Sequence, residues 1–398
     1  MPKDSLSYQG RRAVKIFSFI SKISSTEFAV YDKKPEIVGE LIENFFGMAA
    51  FENTVEILNE TIAHAHRDLN AFMTPEAQGL FRYKAVMERL ERLSEPLKEV
   101  GVVITLMTSL HLPPGIYLVN HDLLNFLKEG RAGESTIRAG AFMSWYFAEY
   151  INDEYDFECL PLLVQAAIQD ELNPIATLTG IKGISRSPVF HCFSQRVAAA
   201  YYAASIGLDP NSINVVIAHL GTEISVSAYQ MGRIVDSNSP FDGEGPFSPT
   251  TSGTLPSNTL LQLCFSRKYD MDEMLRLVNQ EGGLKAHLGT ASLDDIRRAY
   301  AEGDPHMRFV VNAMAYQVAK EIGARAAALE GKTQQIVITG PWLAFEDFVN
   351  EIVPRVEWIA PVSFHIWASE LFMVAVAGID VYYRISGHRI LIYGQDRF

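Results

Sequence analysis

Apolar runs of strand length alternate along this chain with stretches of helical period, and that alternation predicts an α/β architecture. "AVKIFSFI" (13–20) reads as a buried strand, "SKISS" as a turn, and "TEFAVYD" (26–32) as a strand of alternating apolar and polar positions. Helical periodicity then dominates from about Pro35 to Val100, with the charged face of "YKAVMERLERLSEPLKEV" turned to solvent. "GVVITLMTSL" (101–110) is a buried strand and "PPGIYLVN" a turn leading on. Residues 121–152 are helical again, and "CLPLLVQ" (159–165) is a further buried strand.

The second half begins near Asp170. "SQRVAAAYYAASIGL" is a helix closed by Gly207, and "INVVIAHLGTEISVSAYQMGRIV" is a hairpin. Helices follow the loop "DGEGPFSPTTSGTLP" through about Leu329. "QQIVITGPWLAFEDFVNEI" reads strand, turn, helix, with Pro341 at the first helical position. "APVSFHIW" is a short strand, and an apolar helix starts near Glu370.

The two hairpins share one design: a buried strand, a short polar turn, an alternating strand and a basic turn. One opens each half, which suggests a duplicated domain with a cleft between the halves, a usual place for a nucleotide. In the second hairpin the turn is "HLGTEIS" (219–225). Backbone N–H groups in such a turn often hold phosphate, a task that favours glycine because the chain must approach closely. Only Gly221 is glycine here, and Glu223 brings a carboxylate to a place suited to an anion.

At 398 residues the chain is long enough for two domains. Acidic residues outnumber basic ones by 47 to 34, a formal charge of −13 that argues against nucleic acid or an anionic membrane surface as the main partner. No apolar run approaches the roughly 18 residues of a membrane span, and the basic start "RRAVKIFSFISKISS" reads as a first strand rather than a signal peptide. Cys159, Cys192 and Cys264 form no C-x-x-C pair, which fits a reducing cytoplasm. No Cys/His set has zinc spacing, and neither G-x-G-x-x-G nor a Walker sequence is present.

The stretch 215–256, with "DGEGPFSP" (242–249) at its centre, resembles the signature region of butyrate kinases in the acetate/butyrate kinase (acetokinase) family. Further similar stretches are "PPGIYLVN", "DELNPIA" (170–176), "VFHCFSQRVA" (189–198), "GGLKAHLGT" (282–290), "NAMAYQVAKEIGA" (312–324) and "IVITG" (336–340). The resemblance runs nearly the whole chain in order. It implies two duplicated α/β domains of the acetate/sugar-kinase/Hsp70/actin (ribonuclease H-like) type with an interdomain cleft. The expected domains are 1–168 plus 371–398, and a nucleotide-side domain over 169–370. The family reaction converts ATP and butyrate to ADP and butyryl phosphate, and family members commonly form homo-oligomers.

Phosphoryl transfer is mostly positioning and charge neutralisation, so it needs donors, cations and a metal. Where the family's first turn reads Asn-Pro-Gly-Ser-Thr-Ser-Thr-Lys, this chain has "ISKISSTE", which puts Ile20 at the metal-organising Asn and Glu27 at the Lys. Ser24, Ser25 and Thr26 keep hydroxyls, and Lys22 adds a cation. Glu223 stands at a family glycine, while His219 and Gly221 match. Family arginines align with Thr105 and Thr251, and an aspartate with Gln165. Losing two arginines removes the bidentate clamps for carboxylate and phosphoryl. An Asp and an Arg after "LGT" align with Ser292 and Asp294, paired glycines become Gly340 and Pro341, and a C-terminal acidic cluster keeps only Glu370.

Against these readings stand plainer ones. Asp242, Gly243, Glu244 and Gly245 form either a cleft loop with active-site carboxylates or a tight turn that the fold requires. His219 is a phosphate donor or a satisfied core histidine, and His191, after an apolar pair, is a core or junction residue. Asp294, Asp295, Arg297 and Arg298 are a solvated helix face, and "AFMSWYFAEY" is core or interface. Three functions remain open. The first is a catalytically impaired relative acting as a structural or regulatory subunit, as a homo-oligomer or beside an active paralogue. The second is a working carboxylate kinase in which Lys22, His219 and Glu223 take new roles, with Mg-ATP as cofactor. The third is a protein that binds a less anionic small molecule in the old cleft. No metal and no cofactor is expected on the first reading.

Overall fold

The computed structural model describes residues 14–21, 25–33, 55–63, 74–93, 96–107, 112, 115–128, 135–165, 172–365, 370–383 and 390–393. The chain divides into two units, Met1–Ala167 with Ala368–Phe398, and Ile168–Trp367.

Among the described residues the first unit carries seven strands: β1 (Val14–Ser21), β2 (Ser25–Lys33), β3 (Val55–Ala63), β4 (Val100–Met107), β5 (Gly115–Leu118), β6 (Leu160–Gln165) and β12 (Ile390–Leu391). They lie in the order β12-β5-β6-β4-β1-β2-β3. β1 pairs antiparallel with β2 and parallel with β4, and β4 pairs parallel with β6. Bonded on both sides, β1 and β4 are buried along almost their whole length, which is why they read as mainly apolar runs.

One face of this sheet is covered by the helices Pro75–Leu90 and Ser135–Tyr155. The first helix starts where Thr74 accepts a hydrogen bond from the Ala77 N–H at 3.2 Å, with Pro75 at its first turn. Phe17, Phe19, Phe28 and Phe147 fill the layer between, and the Phe17 and Phe147 rings meet edge to face at 4.8 Å. Each such ring contributes about 1.5–3 kcal/mol by leaving water. The helix Glu370–Tyr383 packs on the opposite face of β1, β2 and β4, where Phe372 meets Tyr31 at 5.3 Å.

Two sequence readings are corrected here. β3 lies inside the span that reads as helical from about Pro35 to Val100; residues 35–54 lie outside the described residues. β3 is the outermost strand of the order, so the polar residues of an edge strand pass for the solvated face of a helix. "PPGIYLVN" contains β5, antiparallel to β6, rather than a turn alone.

The second unit carries β7 (Val215–Leu220), β8 (Ile224–Gln230), β9 (Arg233–Ser237), β10 (Gln335–Thr339) and β11 (Val362–His365), in the order β11-β10-β7-β8-β9. β7 and β8, and β8 and β9, are antiparallel; β10 is parallel to β7 and β11. The run β6-β4-β1-β2-β3 of the first unit has the same order and the same directions. The shared hairpin design is thus part of a shared five-strand sheet.

The helices Pro305–Ala328 and Glu346–Val356 cover one face of this sheet through Val311, Met314, Val318, Ile322, Phe348 and Ile352, all fully buried. Cys192–Ser205 packs on β7 and β10 from the other face. Pro341 opens a short 3-10 turn, Pro341–Ala344, and the α-helix proper begins only at Glu346.

The aromatic layer of the first unit makes a direct prediction. Phe147→Ala removes a fully buried ring that touches Phe17, Phe19 and Tyr83, and it is expected to lower stability by about 3–5 kcal/mol in chemical denaturation. A loss under about 1 kcal/mol would mean that the layer is not packed as described.

Candidate functional site

In an open α/β sheet the parallel strands leave their carboxyl ends as the place for a ligand. At the carboxyl ends of β7 and β10 stand His219, Gly221, Thr222, Glu223, Gly340 and Pro341. Their closeness is enforced by glycine. Gly340 has φ +102°, and an added Cβ would lie 2.4 Å from the Leu220 carbonyl oxygen, so no larger residue fits. Pro341, next to it, brings no N–H.

The β7–β8 turn is closed on itself. The Gly221 N–H donates to the Glu223 carbonyl oxygen at 3.2 Å, and the Thr222 hydroxyl donates to the Glu223 carboxylate at 2.7 Å. From below, the Ser248 and Thr250 hydroxyls donate to the Thr222 carbonyl oxygen at 2.6 and 3.2 Å. Thr251 is buried, with its hydroxyl 2.8 Å from that of Ser248. These hydroxyls therefore face one another and the backbone.

Beside the turn the His191 and His219 rings stack, centroids 4.0 Å apart and 16° between planes. His191 Nδ1 is 2.9 Å from Ser225 Oγ, and Gln195 Nε2 donates to the same oxygen at 2.9 Å. His191 comes from the segment before the helix Cys192–Ser205, and Ser225 from β8. The structure thus joins two similar stretches, "VFHCFSQRVA" and "AHLGTEIS", into one polar cluster. Gln195 and Ser225 were not singled out in the sequence, and nothing in their spacing marks them.

The loop with Asp242, Gly243, Glu244 and Gly245 is built around a cation also missed in the sequence. Arg186 donates through Nε and Nη2 to the two Glu244 carboxylate oxygens, at 2.8 Å each. Its Nη1 reaches Asp236 at 3.1 Å and the Ala176 carbonyl oxygen at 2.6 Å. Arg325 holds the other oxygen of Asp236 and also pairs with Glu321. Glu244 further accepts from the Ser239 N–H at 3.0 Å, and Asp242 accepts from the Ser239 hydroxyl at 2.7 Å. Burial pushes the Glu244 carboxyl up, but the Arg186 bonds and charge outweigh it and hold the group below its ordinary value. Gly243 and Gly245 take positive φ, 73° and 84°. Arg186 lies in "ISRSP", where nothing signals a buried hub.

In the first unit Ile20, Thr105 and Gln165 fall near the carboxyl ends of β1, β4 and β6. Ile20 is 7% exposed and pairs with Glu27 across the hairpin. Thr105 is fully buried where Gly140 of the helix Ser135–Tyr155 approaches it: a Cβ on Gly140 would meet Thr105 Oγ1 at 2.7 Å. Gln165 is buried and donates to the Leu112 carbonyl oxygen at 3.3 Å. Ser25 opens β2, and Ser24 and Lys22 lie outside the described residues. Buried next to Ile20's partner, Thr26 accepts from Arg82 Nη1 at 2.9 Å, a contact with no sequence signal.

Ser292 caps the helix Leu293–Ala301 by accepting from the Asp295 N–H, and Asp294 lies in that helix's first turn. Asp294, Arg297 and Arg298 border a groove of about 490 Å³ with Phe345, Glu346 and Asp347 at the start of the helix Glu346–Val356. Arg298 is committed to Asp295 at 2.8 Å. Glu370 is the first residue of its helix. Among the described residues no group of three His, Cys, Asp or Glu side chains could hold a metal ion, and no helix is long and apolar enough to cross a membrane.

The architecture and the C-terminal strand ends of a kinase-like duplicated fold now have relatives to stand beside. A sequence profile of the Acetokinase family matches residues 176–343. Butyrate kinase 2 of Clostridium acetobutylicum is 35% identical over 336 residues, 84% of this chain and 92% of that protein. Two solved structures share the fold over 92% of this chain and 98% of theirs. They are the Porphyromonas gingivalis acetate kinase (14% identity, TM-score 0.65) and a propionate kinase from Francisella tularensis (14% identity, TM-score 0.66). The chain belongs to the acetokinase family, whose members are carboxylate kinases.

The Arg186 hub carries a stability prediction. Arg186→Met leaves Glu244 and Asp236 with fewer partners and is expected to cost roughly 1–3 kcal/mol at neutral pH. The sign with pH follows from Glu244. Its folded-state value is depressed, so its stabilisation is present above the unfolded value and is lost as pH falls through the depressed one. Urea titrations across the acid range are expected to show a shallower acid loss in Arg186→Met than in the parent. Parallel acid limbs would remove Arg186 as the cause.

Proposed function

We propose that this acetokinase-family chain is a butyrate kinase relative that has lost phosphoryl transfer and serves as a structural or regulatory subunit. The observation that carries the reading is the β7–β8 turn. Its charged side chain is a carboxylate, Glu223, and its Gly221 N–H and its hydroxyls bond within the protein. A triphosphate there meets like charge: at about 4 Å each unit pair costs on the order of 4 kcal/mol at an effective dielectric near 20. Pro341 withholds a donor at the neighbouring strand end. The donor set of this edge does not fit Mg-ATP.

Thr105 and Thr251 support the same reading. Both are buried threonines at places where the resemblance expects arginine, and a cationic clamp in such a reaction is worth factors of about 10³ or more in rate. The subunit role is supported by apolar surface. The helix Ser257–Cys264, "SNTLLQLC", buries no residue; Leu261 is 54% and the following Phe265 82% exposed. Surfaces of this kind mark protein contacts. A second copy of the chain or an intact kinase of the same fold is the partner this reading implies, in the cytoplasm.

A second reading is favoured by the identity to a butyrate kinase and by the paired histidines. In it the chain is a working carboxylate kinase with rearranged ligands, His219 among them. Calorimetry and thermal shift with millimolar Mg-ATP on the purified chain separate the two. No heat, no stabilisation and no butyryl phosphate formed from butyrate are expected. Micromolar to sub-millimolar binding together with product would overturn the proposal in favour of the kinase.

A further inference from the structure

A groove of about 280 Å³ on the helical side of the first unit is lined by aromatic and acidic side chains. Leu80 and Tyr83 of the helix Pro75–Leu90 form one wall. Tyr146, Glu149, Tyr150, Asp153 and Glu154 of the helix Ser135–Tyr155 form the other. On that helix they fall at spacings of three, four, seven and eight from Tyr146, which is one continuous face. Three aromatic faces and three carboxylates therefore line one trough, and no cation lines it.

The rings are held by packing rather than by polar bonds. Tyr83 lies 4.8 Å from the buried Phe147 ring, edge to face, and 5.7 Å from Tyr146. Tyr150 meets Tyr155 edge to face at 6.2 Å. The Tyr83, Tyr146 and Tyr150 hydroxyls and the three carboxylates have no hydrogen bond or ion pair with another described residue. Lys128 pairs with Glu76 at 3.1 Å and Arg89 with Glu60 at 2.8 Å; Lys84, next to Tyr83 in sequence, is exposed and does not line the groove. The field in the groove is negative. Burial raises the Tyr83 and Tyr146 hydroxyls above their ordinary values, and Glu91 and Tyr150 beside the first, and Glu76 and Glu149 beside the second, raise them further.

Aromatic faces with carboxylates attract organic cations, through the ring quadrupole and direct ion pairing. The spacing narrows the class. Glu149 and Asp153 are one helical step of four apart, a rise of about 6 Å, which is close to the reach of an extended four-carbon diammonium. A compact quaternary ammonium would use one carboxylate and leave the others idle. We propose that this groove binds a linear aliphatic diamine or polyamine, with ammonium groups on Glu149 and Asp153 and methylenes against Tyr83, Tyr146 and Tyr150. The groove shares no residue with the strand ends described above, and the proposal does not depend on whether the chain transfers phosphate.

The test is calorimetric titration of the full chain with spermidine at fixed ionic strength, with Mg²⁺ as the inorganic control. Saturable binding of spermidine, and not of Mg²⁺, is expected. The double variant E149Q/D153N is expected to bind roughly tenfold more weakly. Tyr150→Leu is expected to bind about two- to fivefold more weakly, with Tyr150→Phe close to the parent because the ring face is kept. On the unaltered chain, diaminobutane is expected to bind better than diaminoethane, a comparison that needs no variant to fold. Equal response to spermidine and Mg²⁺, unchanged affinity in E149Q/D153N, or no preference between the two diamines would each overturn the assignment.

Discussion

A strand bonded on both edges and covered on both faces has one place left for chemistry, its end. β7 is held between β8 and β10, with Cys192–Ser205 on one face and Pro305–Ala328 on the other. β1 is held in the same way between β2 and β4. Inside such strands a polar side chain is costly unless bonded. The polar residues that matter are accordingly pushed to the carboxyl ends: His219 and the turn after it, Thr339 and Gly340, Gln165 after its apolar run. The position of the candidate site follows from the sheet, before any residue at that site is considered.

What the sheet does not dictate is the chemistry placed there, and in this chain the charges have turned inward. Glu244 and Asp236 are held by Arg186 and Arg325, and the loop hydroxyls of Ser248 and Thr251 meet each other. An anion-binding site keeps donors unsatisfied until the ligand arrives; here the Gly221 N–H and the Thr222, Ser248 and Thr250 hydroxyls bond within the protein, while the buried Thr339 hydroxyl has no partner among the described residues. The two positive-φ glycines around Glu244 let its carboxylate reach back to Arg186, so the loop's glycines serve the ion network as much as any ligand. The stacked His191 and His219 are the exception, a polar pair at the strand end whose partners, Ser225 and Gln195, hold it in place rather than neutralise it.

The central strands were legible because burial on two faces leaves a run such as "VVIA" (215–218) with no polar interruption. The hairpin repeat was legible for the same reason, since each copy opens on a central strand. β3 was not, because an edge strand with polar positions carries the same local pattern as a half-solvated helix, and only its pairing with β2 decides between them. Arg186, Gln195 and Arg82 were invisible for a different reason. Each meets partners far away in sequence, such as Glu244 at a separation of 58 residues, and no local spacing encodes such a contact.

The tyrosine groove shows the limit from the other side. "AFMSWYFAEYINDEY" reads as core or interface, and half of it is: Phe142, Phe147 and Ile151 are buried on the sheet side of the helix. Tyr146, Glu149, Tyr150 and Asp153 line the groove beside them, the two tyrosines half-buried and the two carboxylates exposed. Half-burial raises the Tyr83 and Tyr146 hydroxyls, and packing alone does not account for three carboxylates beside them. Attraction for a cation does account for them, because each ring and each carboxylate then acts in the same direction.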